Sequence, residues 1–401
     1  MEDHKSFINE KSKEIFEKLN SIELLNGEYS FELNLLNGLS NKFYRVLLVA
    51  PKFKDLKVND ICFKIFGAGS ALIDRDLEFF IMQKLAETHY GPQVYETDYK
   101  TYRVEEYLHG FTTLDLKEKH NLHVIEELKK SFLLYNETGD YSKYKKFIGQ
   151  PKKELFDFLL NQDTNQNIVT LTVQKLKSLA KVVLAPFALK VREGEQFKND
   201  ADVLDHLSRV EQYLNDFENI LFEILPERSI IAMSHNDCHP LNVLVNKNME
   251  KIFLIDHEFG CFNLVGVDIA NYNIENLFFL GAPSWPFYLV LENDFRKLEG
   301  EPFFPRFVDY IDAFGKQFKS KYSDVKDFDD IIDYMKTQNY YWRCLATSSL
   351  LWFVWSLIYL DYNKFADKSS YNYFNYAIDR LMEIFFIAKS KIGKENEKFK
   401  V

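Results

Sequence analysis

The order of apolar and polar positions along this chain changes character near residue 110. Residues about 8–24 read as a helix. Phe43 to Val49 (FYRVLLV) and Ile61 to Phe66 (ICFKIF) are short, β-branched and aromatic, separated by the turn-like Pro51 to Asp60, and they predict antiparallel strands. Asp74 to His89 predicts a helix, with Leu77, Phe80, Ile81 and Leu85 at helical spacing and acidic residues in the first turn, where the helix dipole favours them. Gly91-Pro92 ends it, and Arg103 to Leu108 predicts another strand. From Thr113 the pattern is helical almost to the end, broken by a strand pair flanking His235 to Asp256. The expectation is an α+β chain of two lobes: a small antiparallel β-rich one over residues 1–108 and a large, mainly helical one over 109–401.

Composition narrows the partners. Lys and Arg number 50 against 60 Asp and Glu, a net charge of −10, which disfavours nucleic acid and anionic membrane surfaces, both of which ask for basic proteins. Hydrophobic residues make 46% and charged residues 27%, the balance of a soluble globular protein. Aromatic residues make 16%, and most of these rings are expected in the core. The apolar run Leu350 to Leu360 is too short to span a bilayer, so no stable membrane insertion is expected. The N-terminus is charged and lacks a signal-like apolar stretch, and Cys62, Cys238, Cys261 and Cys344 lie far apart. Together these predict a cytoplasmic protein with reduced thiols.

Chemistry concentrates in SHNDCHPLNVLV (234–245) and KIFLIDHEFG (251–260). A polar loop carrying His235 and Asp237 opens into a strand from Asn242 to Val245. After a turn at Asn246 to Glu250, a second strand ends at Asp256. This order resembles a kinase catalytic loop, in which an Asp orients the attacking hydroxyl, an Asn five residues on takes a metal, and a later Asp takes the other metal contact. One His or Asp in a polar turn would mean little, but several in register between strands carry weight. The same mechanism asks for a strand Lys paired with a helix Glu, and Lys64 and Glu78 stand where these belong, although each alone reads as a solvated charge. Gly38, Ser40 and Asn41 precede a strand and offer a turn whose backbone N–H groups could face phosphates, as an ordinary β-turn would too.

These residues identify the chain as resembling the choline/ethanolamine kinase family, which shares the protein-kinase-like fold. HNDCHPLNVL (235–244), IDHEF (255–259), GVDIANYNIE (266–275), GLSNKFY (38–44), GPQVY (91–95), RVEEYL (103–108) and WFVWS (352–356) carry the resemblance, over roughly residues 30–110 and 230–390. It implies ATP and Mg²⁺ as cofactors, Asp237 as the base or hydroxyl-orienting group, and Asn242 and Asp256 as metal ligands. It further implies Lys64 clamping the phosphates with Glu78 positioning it, and Glu105, Glu106 and Tyr107 at the adenine-contacting hinge. Trp352, Trp355 and Tyr376 would form aromatic walls of an amino-alcohol site, with Glu258, Glu275 and Trp285 alongside.

A quaternary ammonium has no N–H to donate and is held by ring faces, each worth about 0.5–2 kcal/mol. Trp352 and Trp355, three apart, share a helical face, although packing between helices would give the same spacing. Choline is therefore the expected acceptor. Ethanolamine, whose primary ammonium would lean on carboxylates such as Glu275, is the alternative, ahead of another small alcohol or a non-catalytic scaffold. Residues 115–230 match little of the family pattern, Phe259 and His257 depart from it, and IENLFFL (274–280) replaces a family stretch. Oligomeric state stays open, a homodimer included.

Overall fold

Alternation of apolar side chains builds the N-terminal sheet of the computed structural model, which describes residues 2–36, 41–67, 73–139, 152–160, 173–291 and 295–392. The strands β1 (Ser30–Leu36), β2 (Lys42–Val49), β3 (Asp60–Ile65), β4 (Val94–Thr97) and β5 (Tyr102–Glu106) are antiparallel, in the order β1-β2-β3-β5-β4. The helix α1 (Glu2–Asn20) lays Ile8, Ile15 and Phe16 against Tyr44, Val46, Leu48, Ile61, Phe63, Tyr102 and Val104. Because strand side chains alternate faces, Lys64 and Arg103 are turned to the opposite face from Phe63 and Val104. They are also cross-strand partners. One face of the sheet is thus apolar and the other charged.

Helix α2 (Arg75–Glu87) starts where expected, its N-cap Asp74 accepting from the Leu77 N–H at 3.0 Å. Helix α1, expected over 8–24, stops earlier. Ser21 has φ 55°, and the Asn20 amide donates to the Phe16 and Val58 carbonyls at 3.0 and 2.7 Å, so the chain turns out of the helix there. Strands β1 and β4 were not anticipated. β1 is half exposed and mixes polar with apolar residues, and the β4–β5 register shifts between Val94 and Glu96, so neither shows a clean alternation.

The chain forms two compact units, Met1–Thr112 with Leu244–Phe259, and Thr113–Val243 with Gly260–Val401. A three-stranded sheet joins β6 (Phe111–Thr113), β8 (Val243–Asn246) and β9 (Ile252–Leu254), while β7 (Ile231–Ser234) pairs antiparallel with β10 (Cys261–Leu264). The second unit is mainly helical: α3 (Leu122–Glu137), α4 (Lys152–Leu160), α5 (Val173–Glu193), α6 (Ala201–Asn215), α7 (Phe217–Ile224), α8 (Val267–Glu275), α9 (Phe303–Phe318), α10 (Phe328–Met335), α11 (Gln338–Leu357), α12 (Tyr362–Ala366), α13 (Tyr373–Ile378) and α14 (Phe386–Ile392). A hairpin, β11 (Phe278–Leu280) with β12 (Tyr288–Val290), interrupts what the sequence pattern read as continuous helix. Gly281, at φ 82°, opens the turn between these strands, a conformation glycine adopts without strain.

Helix α11 is buried over most of its length and packs on α5, α8, α13 and α14. Tyr340, Tyr341, Leu345 and Phe353 are fully buried in it. Among the described residues no helix is long and apolar enough to cross a membrane.

Candidate active site

In the first unit, charge collects on the sheet face turned away from α1. Lys64 of β3 is fully buried, and its Nζ lies 2.6 Å from Asp256 Oδ1, 3.3 Å from Glu258 Oε2 and 3.5 Å from Glu78 Oε1. Arg75 from the start of α2 and Arg103 from β5 both reach Glu78 as well. Glu105 accepts from Arg103 Nε at 2.9 Å, and the Asn41 amide donates to Glu258 at 2.9 Å. Asp256 ends the strand region in the left-handed conformation, φ 63°, which an Asp tolerates better than most side chains. Gly38 and Ser40 lie outside the described residues.

The titration of this cluster follows from burial and pairing. Burial alone would push the Lys64 ammonium down, but Asp256, Glu258 and Glu78 outweigh it and hold the group charged above its usual range. For Glu78, burial pushes up, and Arg103, Lys64 and Arg75 more than reverse it, holding the carboxylate well below its usual range. Oxygens of Glu78, Asp256 and Glu258 lie within 4.8 Å of one another, a hard-oxygen donor set suited to a divalent cation. Glu78 already receives three cationic groups, and Glu258 receives Lys64, Arg75 and the Asn41 amide, so Asp256 is the least engaged of the three among the described residues. At the end of β5, the Arg45 guanidinium covers the Tyr107 ring at 4.6 Å.

In the second unit, β7 leads into the His235–Asn242 loop. Asn236 stands in the left-handed region, φ 65°, and the Asp268 carboxylate at the start of α8 accepts from the backbone N–H groups of His235 and Asn236 at 2.9 and 2.8 Å. Asn263 donates to the Asn236 side chain at 2.8 Å, and Asn271 to the Cys238 carbonyl at 3.1 Å. The loop is therefore held by its backbone, and Asp237 is left with its carboxylate toward Asn242. The Asn242 amide donates to Asp237 Oδ2 at 3.0 Å and to the Asp237 carbonyl at 2.9 Å, which turns its own oxygen the other way. His239 Nε2 stands 3.8 Å from Asp237 Oδ1, and burial, with His235 and Arg380 adding to it, lowers this imidazole to about 3, so it is neutral near pH 7. Burial pushes the Asp268 carboxyl up to about 6 against the opposing pull of its two backbone N–H bonds.

Gly266 precedes α8 at φ 106°, and a Cβ there would lie 2.7 Å from the Phe307 ring, so only glycine brings Asp268 to this loop without displacement.

Of the aromatic residues singled out by sequence, Trp352, Trp355 and Tyr376 belong to one ring network of the same unit, linked through Tyr373 and Tyr371. Trp352, 6% exposed, packs edge-on to Trp355 with ring centroids 5.0 Å apart. Trp355 also meets Tyr359 at 4.5 Å and Tyr373 at 5.8 Å. Tyr376 lies 5.5 Å from Tyr288 and 5.7 Å from Phe278, and its hydroxyl reaches Glu275 at 3.3 Å. Trp285 carries Lys368 over its ring at 4.8 Å.

Sequence reasoning assigned nothing to Arg75, Arg103, Asp268, His239 or Arg380. Arg103 was detectable as the cross-strand partner of Lys64 flanked by Glu105, and Asp268 as the acidic first turn after a left-handed glycine.

Comparison with known proteins gives the following. The sequence profile of the choline/ethanolamine kinase family matches residues 33–385. Choline kinase alpha of Mus musculus is 26% identical over 183 residues, 44% of this chain but only 38% of that protein. Probable choline kinase 3 of Arabidopsis thaliana is 21% identical over 372 residues, 90% of this chain and 88% of that protein. Among solved structures, a choline kinase from Cryptosporidium parvum Iowa II superposes with a TM-score of 0.59 at 18% identity, covering 96% of this chain and 95% of its own. A Plasmodium vivax ethanolamine kinase superposes at 0.58 and 17% identity, covering 95% of each chain. These superpositions show the protein-kinase-like fold.

Proposed function

Because the chain belongs to the choline/ethanolamine kinase family of ATP-dependent phosphotransferases with an alcohol acceptor, we propose that its own acceptor is choline and its product phosphocholine, a precursor of phosphatidylcholine. The observation that carries this reading is the packed ring cluster of Trp352, Trp355, Tyr359 and Tyr373, whose faces suit a cation with no N–H to donate. The Glu275 carboxylate favours the second reading, ethanolamine, because a primary ammonium seeks acceptors. Four unpaired cysteines support a reducing, cytoplasmic setting.

In this reading Asp237 accepts the proton of the acceptor hydroxyl, and the Asn242 amide holds its carboxylate in place. Lys64 neutralises charge on the nucleotide phosphates, kept charged and aimed by Glu78 and Asp256. Glu105 and Tyr107 lie at the strand end that would meet the adenine. Bound Mg²⁺ would offset negative charge on the phosphate oxygens; the carboxylate oxygens of Asp256 and Glu258 fit it, and Asn242 is a ligand only as the family resemblance implies.

Asp268 is assigned the task of positioning the loop. Below about pH 6 this carboxyl gains a proton and weakens its hold on the His235 and Asn236 N–H groups, so kcat is expected to fall as pH drops through about 6. Asp268→Asn should lower kcat by about 10²-fold, the cost of misplacing a reacting group, and lose that acid limb, with KM for ATP unchanged. A pH–rate profile of both forms checks this. The stability sign is opposite: folding raises this carboxyl, the folded chain binds more protons than the unfolded one up to about pH 6, and this contribution to stability falls as pH rises through that window.

The acceptor is tested by ADP release over choline, ethanolamine, homoserine and an aminoglycoside, with and without Mg²⁺. Choline should give the highest kcat/KM and require the metal. A higher value for ethanolamine would favour the second reading, and no response to any acceptor would refute both.

A further inference from the structure

Arg380 is fully buried and has no task in phosphoryl transfer itself. It sits in a π-helical stretch, Asp379–Phe385, that continues α13, and such widened turns concentrate at functional sites. Its Nη2 forms an ion pair with Glu275 Oε1, and its Nε donates to the Tyr376 hydroxyl at 3.1 Å. That hydroxyl donates in turn to the same Glu275 oxygen at 3.3 Å, which closes a ring of three side chains. The guanidinium carbon lies 5.3 Å from the ring centroids of both Phe278 and Tyr376. Glu275 and Arg380 expose 3% and 0% of their side chains. Two buried polar atoms of the pair, Glu275 Oε2 and Arg380 Nη1, have no hydrogen-bond partner among the described residues.

A lone buried carboxylate would attract any ammonium strongly, because little solvent screens it. With a guanidinium in contact, the pair presents almost no net charge to a ligand, and burial with Arg380 alongside leaves Glu275 a single unshared oxygen. Three donors on a primary ammonium must then give up water for one acceptor, which costs free energy for each donor left unpaired. A trimethylammonium gives up no hydrogen bond and takes ring faces instead.

We propose that Arg380 is a specificity-determining residue, which neutralises Glu275 beside Tyr376 and so biases the acceptor site toward a methylated ammonium and against a primary one. The inference rests on choline as the acceptor. It differs from that reading in naming the group that rejects ethanolamine.

The test is a methylation series: kcat/KM for ethanolamine, N-methylethanolamine, N,N-dimethylethanolamine and choline, in the wild-type protein and in Arg380→Gln. In the wild type the value should rise with each methyl. In Arg380→Gln, Glu275 loses its cation, and the choline-to-ethanolamine ratio should fall by about tenfold or more, the scale on which a single contact discriminates between substrates. The double variant Glu275→Gln/Arg380→Gln removes both charges together and should keep the rising series, which holds the test open should the single variant fold poorly. An equal loss for all four acceptors in Arg380→Gln would reduce Arg380 to a structural role and overturn the inference alone. A wild type that prefers ethanolamine, or turns over neither compound, overturns the choline reading and the inference with it.

Discussion

Replacing Asp237 with alanine is expected to lower kcat by about 10²–10⁴-fold, the usual contribution of a positioned proton acceptor, while nucleotide binding stays close to that of the wild type. The separation follows from where the side chain is held. Asp237 takes its position from the Asn242 amide, and its loop from Asp268, Asn263 and Asn271, none of which belongs to the charged cluster around Lys64. Asp237→Asn should be nearly as slow, because the amide keeps the shape and loses the basicity. Steady-state kinetics with a nucleotide-induced thermal shift measures both quantities. A slow variant that has also lost its ATP response would point to loop collapse.

Lys64→Met should have the next largest effect, and it should fall on nucleotide use and stability together. The fully buried ammonium neutralises Asp256 and Glu258, which keep fewer cationic partners than Glu78, with its Arg75 and Arg103. Breaking one partner out of a buried ion cluster typically costs about 3–5 kcal/mol, so the melting temperature should drop clearly. Loss of a fixed positive charge at the phosphates should lower kcat/KM for ATP by about 10²–10³-fold. Lys64→Arg should recover stability more than activity, because a planar fork does not replace a compact point charge in a cavity shaped for one. Turnover preserved in both variants would remove Lys64 from the phosphate site.

Local pattern made some of this molecule legible and long-range pairing hid the rest. The β3 strand and helix α2 were readable because their apolar periods are clean and Asp74 caps the helix, and these two elements bring Lys64 within 3.5 Å of Glu78. The His235–Asp256 segment announced itself by several polar residues at fixed spacing between short strands. Arg75 and Arg103 stayed hidden because a charged residue in a helix or strand reads as solvated, and only the fold shows both turned onto Glu78. Asp268 lies some thirty residues after the loop that it holds, a pairing no local period reveals. Arg380 was likewise invisible: four residues after Tyr376 it resembled a charge on a helix exterior, yet it is buried against Glu275 from a helix more than a hundred positions earlier. The Glu275 carboxylate, taken from the sequence as the acidic side of an amino-alcohol site, is accordingly already engaged by a resident cation.

The most direct measurement is a phosphorus NMR assay of the full chain with ATP, Mg²⁺ and choline. Phosphocholine should appear in step with ADP, vanish when choline is omitted, and be absent with Asp237→Ala. ADP formed without any choline-dependent phosphomonoester, or phosphocholine formed equally well by Asp237→Ala, would contradict the assignment of this chain as a choline kinase acting through Asp237.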